Sequence, residues 1–302
     1  MNVDHAQSDS NAPPLAKFPV LALLRPHQWI KNGFVAAPLF FTPSAVNAAS
    51  VATVAAGVVA FCLASSAIYV VNDYLDRESD RHHAEKRFRP LAAGTLSPAL
   101  AAALLVALLV AALGLALALS AVFAGFVIGY VALNIAYCLV LKRIAIVDVL
   151  TITVGFVLRI YGGAALIDIV PTPWIVVCAG LLALFMALAK RRDDLERALD
   201  GDHRASLAGY TKPFLDTAIG VVVTALLIAY LIYTTDSEVT RRLGTDRLYL
   251  TTLFVVGGVL RYLQITLVEK RSGAPTRLVL GDRFLKLAVV GWLATFAALI
   301  YG

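Results

Sequence analysis

A chain of 302 residues that is 60% hydrophobic and only 15% charged, with a mean hydropathy of +0.79, lies far from the balance of a water-soluble domain. A soluble globular fold is excluded, and an all-α polytopic membrane protein is expected. The net charge of +6 follows from topology and anionic ligands, so nucleic acid is not needed as a partner.

In chain order, residues 1–17 are polar, with a Pro13-Pro14 pair and no basic stretch ahead of an apolar core, so they do not read as a cleaved signal peptide. The chain is expected to divide into a disordered polar tail, 1–20, and a single transmembrane domain, 21–302. About 20 apolar residues cross a bilayer as a helix. Nine runs meet that length, near 24–43, 48–71, 98–119, 121–141, 145–166, 172–189, 213–234, 247–268 and 284–301. The first is interrupted by Arg25, His27, Lys31, Asn32 and Pro38. With a cytoplasmic N-terminus, 21 of the 26 Lys and Arg fall on the cytoplasmic side. Arg241, Arg242 and Arg247 fall opposite, and Arg159 and Arg261 lie within runs. That bias orients a multi-pass protein of the inner cell membrane.

The first run opens on Arg25-Pro26-His27-Gln28-Trp29-Ile30-Lys31-Asn32, where Trp29 suits the membrane interface, and Arg25 and Lys31 suit either lipid or substrate phosphate. The second run passes directly into Asn72-Asp73-Tyr74-Leu75-Asp76-Arg77-Glu78-Ser79-Asp80. At about 100° per residue, Asp73, Asp76 and Asp80 share an arc of roughly 60° at the cytoplasmic mouth of a helix. Such an oxygen-rich row suits Mg²⁺, which takes one or two carboxylates and leaves its other positions to water and phosphates. Arg77, Arg81, Lys86, Arg87 and Arg89 follow before Gly94. Positive charge that merely fixes topology explains their number but not their interleaving with carboxylates, which a phosphate or diphosphate held between metal and guanidinium forks does explain. His82-His83 is a weak metal signal, because adjacent helical residues diverge by about 100°.

Tyr137, Lys142 and Arg143 close the fourth run, where anchoring and ligand binding both fit. In the fifth, Asp148, Gly155, Arg159 and Gly162 fall on one stripe, with Arg159 about 16 Å deeper than Asp148. An arginine that deep needs a polar cavity or a partner, and the cavity is the candidate active site. The sixth run ends in Lys190-Arg191-Arg192-Asp193-Asp194-Leu195-Glu196-Arg197, a mixed lining that fits a second phosphate site or a salt-bridged solvated helix equally. Cys62, Cys138 and Cys178 are dispersed in apolar runs and read as small packing residues.

Asn72-Asp73-x-x-Asp76-x-x-x-Asp80 followed by Arg89-Pro90-Leu91-Ala92-Ala93-Gly94 resembles the first signature of the UbiA superfamily of membrane prenyltransferases. The resemblance covers roughly residues 20–302 and implies a helical bundle around a cytoplasm-facing cavity. Aromatic prenyltransferases of that superfamily carry a second D-x-x-x-D motif where this chain reads Lys190-Arg191-Arg192-Asp193-Asp194. Arg25-Pro26-x-Gln28-Trp29-x-Lys31-Asn32, Ala67-x-Tyr69-x-x-Asn72-Asp73, Lys86-Arg87-Phe88-Arg89-Pro90, Tyr137-Cys138-x-x-Leu141-Lys142 and Lys190-Arg191 are instead similar to the decaprenyl-phosphate phosphoribosyltransferase branch. That branch implies phosphoribosyl pyrophosphate as donor, polyprenyl phosphate as acceptor, Mg²⁺ as cofactor, and leaves room for a homo-oligomer. Asp73 and Asp76, supported by Asp80 and Asn72, would hold the metal, and Asp73, Asp76 and Asp194 form the expected catalytic set. Lys190, Arg191, Lys86 and Arg87 would bind the donor, with Arg89 and Tyr69 in the substrate set; Tyr137, Lys142, Arg159 and Lys31 would meet the acceptor phosphate or the ribose. The rival readings are an aromatic prenyltransferase of the same fold and an anion transporter lined by Asp148 and Arg159.

Overall fold

The computed structural model describes residues 18–83, 85–198, 205–269 and 275–302, and all the regular structure among them is helical. Among the described residues eight stretches are long and apolar enough to cross a membrane. They are α3 (Ala48–Arg81), α4 (Pro98–Leu119), α5 (Ala121–Leu139), α6 (Val147–Ala165), α7 (Pro173–Ala198), α8 (Lys212–Thr235), the composite Leu248–Val268 built on α10 (Thr252–Leu263), and α12 (Arg283–Tyr301).

Nine spans were expected, and the first is the difference. Residues 24–43 do not form one helix: α1 (Pro19–Leu24) stops at Arg25, whose φ of 53° is left-handed, and a 3₁₀ stretch, Pro26–Val35, leads into the single turn α2 (Ala37–Phe40). Pro26 and Pro38 each withhold a backbone donor, which breaks the helical ladder there. The expected tail lies, up to residue 17, outside the described residues, and α1 already begins within it at Pro19.

The long helices begin where the sequence supplies a cap. Asn47, Ser97, Ser120, Thr211 and Asp282 each accept a hydrogen bond from a backbone N–H of the first turn of α3, α4, α5, α8 and α12. The long helices then pack in chain order, each on the next, from α3 to α8, with α8 against α10 and α10 against α12. The broken N-terminal segment lodges between α3 and α6, and Gly163 makes this possible. A Cβ there would meet the Val35 carbonyl oxygen at 1.9 Å, so only glycine lets the two backbones approach. Phe61, Phe123 and Tyr130 fill the adjacent interior with edge-on ring contacts of 5.7 and 5.4 Å.

Two helices outrun the bilayer on one side. The 34 residues of α3 extend about 51 Å against a hydrocarbon core of about 30 Å. Its last turns, carrying the acidic row, therefore project beyond the apolar layer. The 26 residues of α7 behave similarly at Lys190–Ala198. Because successive spans alternate in direction, the ends of α3, α5, α7 and the Leu248–Val268 span share one side. The short helix α9 (Ser237–Leu243) lies on the other.

Candidate active site

The acidic row forms as the helical spacing requires, but its carboxylates are turned to cations. Asp73, 1% exposed, accepts from Arg25 Nη2 at 2.5 Å and from Arg89 Nη1 at 3.2 Å, both on Oδ1. Arg89 Nη1 also donates to Asp80 Oδ2 at 2.7 Å. Lys142, from the short turn after α5, donates to Asp76 Oδ1 at 2.6 Å. Of the interleaved cations Arg89 reaches the row, while Arg77 and Arg81 pair with Glu78; Arg25 joins from the break between α1 and the 3₁₀ stretch. Its guanidinium also lies 5.1 Å from the centre of the Tyr69 ring.

Among the described residues no three His, Cys, Asp or Glu side chains are gathered to hold a metal. The donor set nevertheless fits a hard cation. Asp73 Oδ2 is buried with no hydrogen-bond partner, an oxygen whose burial costs free energy unless something binds it. Asn72, the preceding residue on α3, accepts at Oδ1 from the weak Cys138 thiol at 3.7 Å. Both oxygens suit Mg²⁺, which coordinates carboxylate and carbonyl oxygens.

A second cluster lies on α6 and α7. Arg191, 1% exposed, donates through Nε to Asp148 at 2.5 Å, through Nη1 to Asp194 at 2.7 Å, and through Nη2 to the Tyr137 hydroxyl at 3.1 Å. Three of its donors are thus bonded to protein groups. Tyr210 completes the cluster: its hydroxyl donates to Asp148 Oδ1 at 2.6 Å and accepts from Ile146 N–H at 2.6 Å. Burial, helped by that bond to Asp148, pushes the Tyr210 phenol well above the usual tyrosine range, so it stays a donor at neutral pH. Ile146 has a φ of 70°, uncommon for a β-branched residue, and the Tyr210 contact pins this strained turn at the start of α6.

Arg159 shares a stripe with Asp148 yet meets different partners. Its Nε donates to Asn32 Oδ1 at 2.8 Å, its Nη1 to the Gly155 carbonyl at 2.7 Å and its Nη2 to the Tyr130 hydroxyl at 3.0 Å. All three are neutral, and the Tyr130 ring lies 4.5 Å from the guanidinium centre. Its charge is left uncompensated by any carboxylate among the described residues. Lys31 lies within electrostatic range of Arg159, Lys190 and Arg25. Among the described residues it has neither a hydrogen bond nor an ion pair. A half-buried ammonium among cations is costly unless an anion joins it.

The remaining expected residues are more peripheral. Lys86 lies in a short 3₁₀ turn beyond α3, and Arg87, exposed, rests 4.9 Å from the Phe88 ring centre. Lys190 is half-buried where α7 leaves the apolar layer. The neighbouring Arg192 serves architecture, joining Asp216 and Glu196 to the Thr266 carbonyl in the π-helical turn Gln264–Val268. Sequence reading did not assign Asn32, Tyr130 and Tyr210 to the site. Each is a neutral group whose role comes from a long-range partner that no local spacing displays.

A helical membrane bundle whose protruding helix ends interleave carboxylates and guanidiniums over a cation-lined interior defines a transferase of the UbiA class. The family model described as the UbiA prenyltransferase family matches residues 33–290, and the chain belongs to that family. It is 33% identical over 311 residues to a decaprenyl-phosphate phosphoribosyltransferase of Mycolicibacterium smegmatis, an alignment spanning 99% of this chain and 97% of that protein. The protein of the same name from Corynebacterium glutamicum is 34% identical, over 93% of this chain and 86% of its own length. The solved structure of a UbiA homolog from Archaeoglobus fulgidus bound to GPP and Mg²⁺ superposes with a TM-score of 0.70, covering 94% of this chain and 100% of that one. At 20% identity that likeness shows a shared fold.

Proposed function

We propose that this chain transfers 5-phosphoribose from phosphoribosyl pyrophosphate to the phosphate of a polyprenyl phosphate lipid, releasing pyrophosphate. The observation that carries this reading is the cationic interior. Lys31, whose side chain has no protein partner among the described residues, lies within electrostatic range of Lys190 and of Arg159, which is itself held only by neutral groups. Such a group of cations suits phosphate as a ligand. The near-full-length relatives named as phosphoribosyltransferases support it.

In the reaction the bond from ribose C1 to the pyrophosphate oxygen breaks, and an oxygen of the lipid phosphate bonds to C1. The acceptor is already an anion, so no general base has to take a proton. Asp73, Asp76, Asp80 and Asn72 are the proposed holders of Mg²⁺, which when bound neutralises the departing pyrophosphate. Arg25, Arg89 and Lys142, now paired with those carboxylates, are placed to turn toward the donor's phosphates. Lys31, Arg159 and Lys190 receive the acceptor phosphate or the ribose 5-phosphate. Asp194, steadied by Arg191, faces positive charge developing at the ribosyl centre. Positioning and electrostatic stabilisation thus supply the catalysis. The acidic mouth faces the cytoplasm of a cell membrane, and the lipid tail stays among the apolar helices.

Purified protein given ribose-labelled phosphoribosyl pyrophosphate, polyprenyl phosphate and Mg²⁺ should form a labelled lipid. Asp73→Asn should abolish it without loss of folded protein. No labelled lipid, with product formed instead from an isoprenoid diphosphate and an aromatic acid, would establish the prenyltransferase reading.

A further inference from the structure

The side of the membrane opposite the acidic row carries arginines that the transfer reaction does not use. The chain leaves α8 at Asp236, whose side chain caps α9 by accepting from Glu238 N–H and Val239 N–H at 2.9 and 3.0 Å. Gly244, at φ 70°, then ends α9 in a left-handed turn that only glycine adopts freely, and Thr245 N–H donates back to the Thr240 carbonyl at 3.2 Å. This corner holds Arg241 and Arg247 at either end of the turn, both exposed.

Arg242 reaches Thr42 Oγ1 at 3.5 Å and so belongs to the scaffold. Arg241 and Arg247 have no ion pair among the described residues, and Asp246 between them pairs with neither. Arg241, Asp246 and Arg247 line an open cavity of about 680 Å³ together with Thr240, Gly244, Thr245 and the terminal-helix residues Ala298 and Leu299. Cations on this side run against the charge bias that orients the rest of the chain. At the corner the lining carries two guanidiniums against one carboxylate, and it is apolar where α12 ends. Tyr249, just after Arg247, and Tyr301, just after the end of the cavity lining, are 52% and 47% exposed, and exposed tyrosines favour the membrane interface.

We propose that this corner is a binding site for the headgroup of an anionic phospholipid in the leaflet opposite the acidic row. The phosphate lies between the guanidiniums of Arg241 and Arg247, and the acyl chains run down past Leu299. Two guanidiniums without carboxylate partners match the donor pattern of phosphate oxygens. The apolar floor favours a tethered lipid over a freely diffusing anion. The site is remote from the transfer chemistry and does not depend on it.

The test is a titration of the purified protein in neutral detergent with dioctanoyl phosphatidylglycerol, read as Tm and as lipids retained in native mass spectrometry. The wild type should gain Tm and retain lipid. Arg241→Gln with Arg247→Gln should bind about tenfold more weakly and lose most of the gain. Arg283→Gln with Lys286→Gln, at the other end of α12, should keep it. An equal gain in wild type and the Arg241/Arg247 variant would overturn the site. A gain reproduced by inorganic phosphate alone at the same concentration would replace the lipid by a free anion.

Discussion

Arg191 and Asp148 are a deeply buried ion pair of the site, 1% and 0% exposed, joined at 2.5 Å. Removing one partner strands the other, a loss of about 3–5 kcal/mol, whereas replacing both with apolar residues is often close to neutral. Arg191→Met should therefore lower Tm strongly, and Asp148→Leu added to it should restore most of that stability. Transfer activity should stay low in the double variant, because Tyr137 and Asp194 have still lost the group that orients them. If activity returns with stability, Arg191 holds the fold and does not position the site. The pair also marks where sequence reading stopped. Helical spacing places Asp148 and Arg159 on one stripe of α6, as found, but it says nothing of which neighbouring helix that stripe meets. Asp148 faces α7 and Arg191, while Arg159 faces the N-terminal segment and Asn32.

Among the elements, the broken segment from Pro19 to Phe40 is the one that composition misread. Its hydropathy and length satisfy a span, and its two prolines and cluster of polar residues were visible but not decisive. What makes the break useful is tertiary: Arg25 reaches Asp73, and Asn32 reaches Arg159, Ser65 and Cys62. Gly163 is the contact that fixes this segment on α6. Gly163→Ala drives a Cβ into the Val35 backbone and should cost at least about 1–3 kcal/mol. Gly129→Ala on α5, where a Cβ meets nothing within 4 Å, should be neutral or gain up to about 1 kcal/mol. Thermal unfolding of the two variants, with retained transfer in Gly129→Ala, checks the claim. Comparable stability in both would mean the segment is not held at that point. The long helices were legible because a bilayer sets their length and capping residues with proline punctuate their starts. The acidic row was legible because its three carboxylates lie on one helix. Tyr210, some sixty residues from Asp148 in sequence, was not.

At the scale of the molecule, charge and architecture make one claim about orientation. Eight spans return the chain alternately to two faces. The face with Asp73, Asp76, Lys142 and Lys190 collects most of the Lys and Arg, and by the positive-inside bias it is the face proposed to meet the cytoplasm. This is also the side from which a water-soluble, highly charged donor could reach the cationic interior without crossing lipid. Orientation and chemistry therefore stand or fall together. With Cys62, Cys138 and Cys178 replaced by alanine, Ala93→Cys and Glu238→Cys place single exposed thiols on the two faces. In intact cells a membrane-impermeant maleimide should label Glu238→Cys and spare Ala93→Cys, and in inverted vesicles the pattern should reverse. Labelling of Ala93→Cys from outside would put the acidic mouth on the wrong side for a cytoplasmic donor, and the proposed transfer would lose its source of phosphoribose.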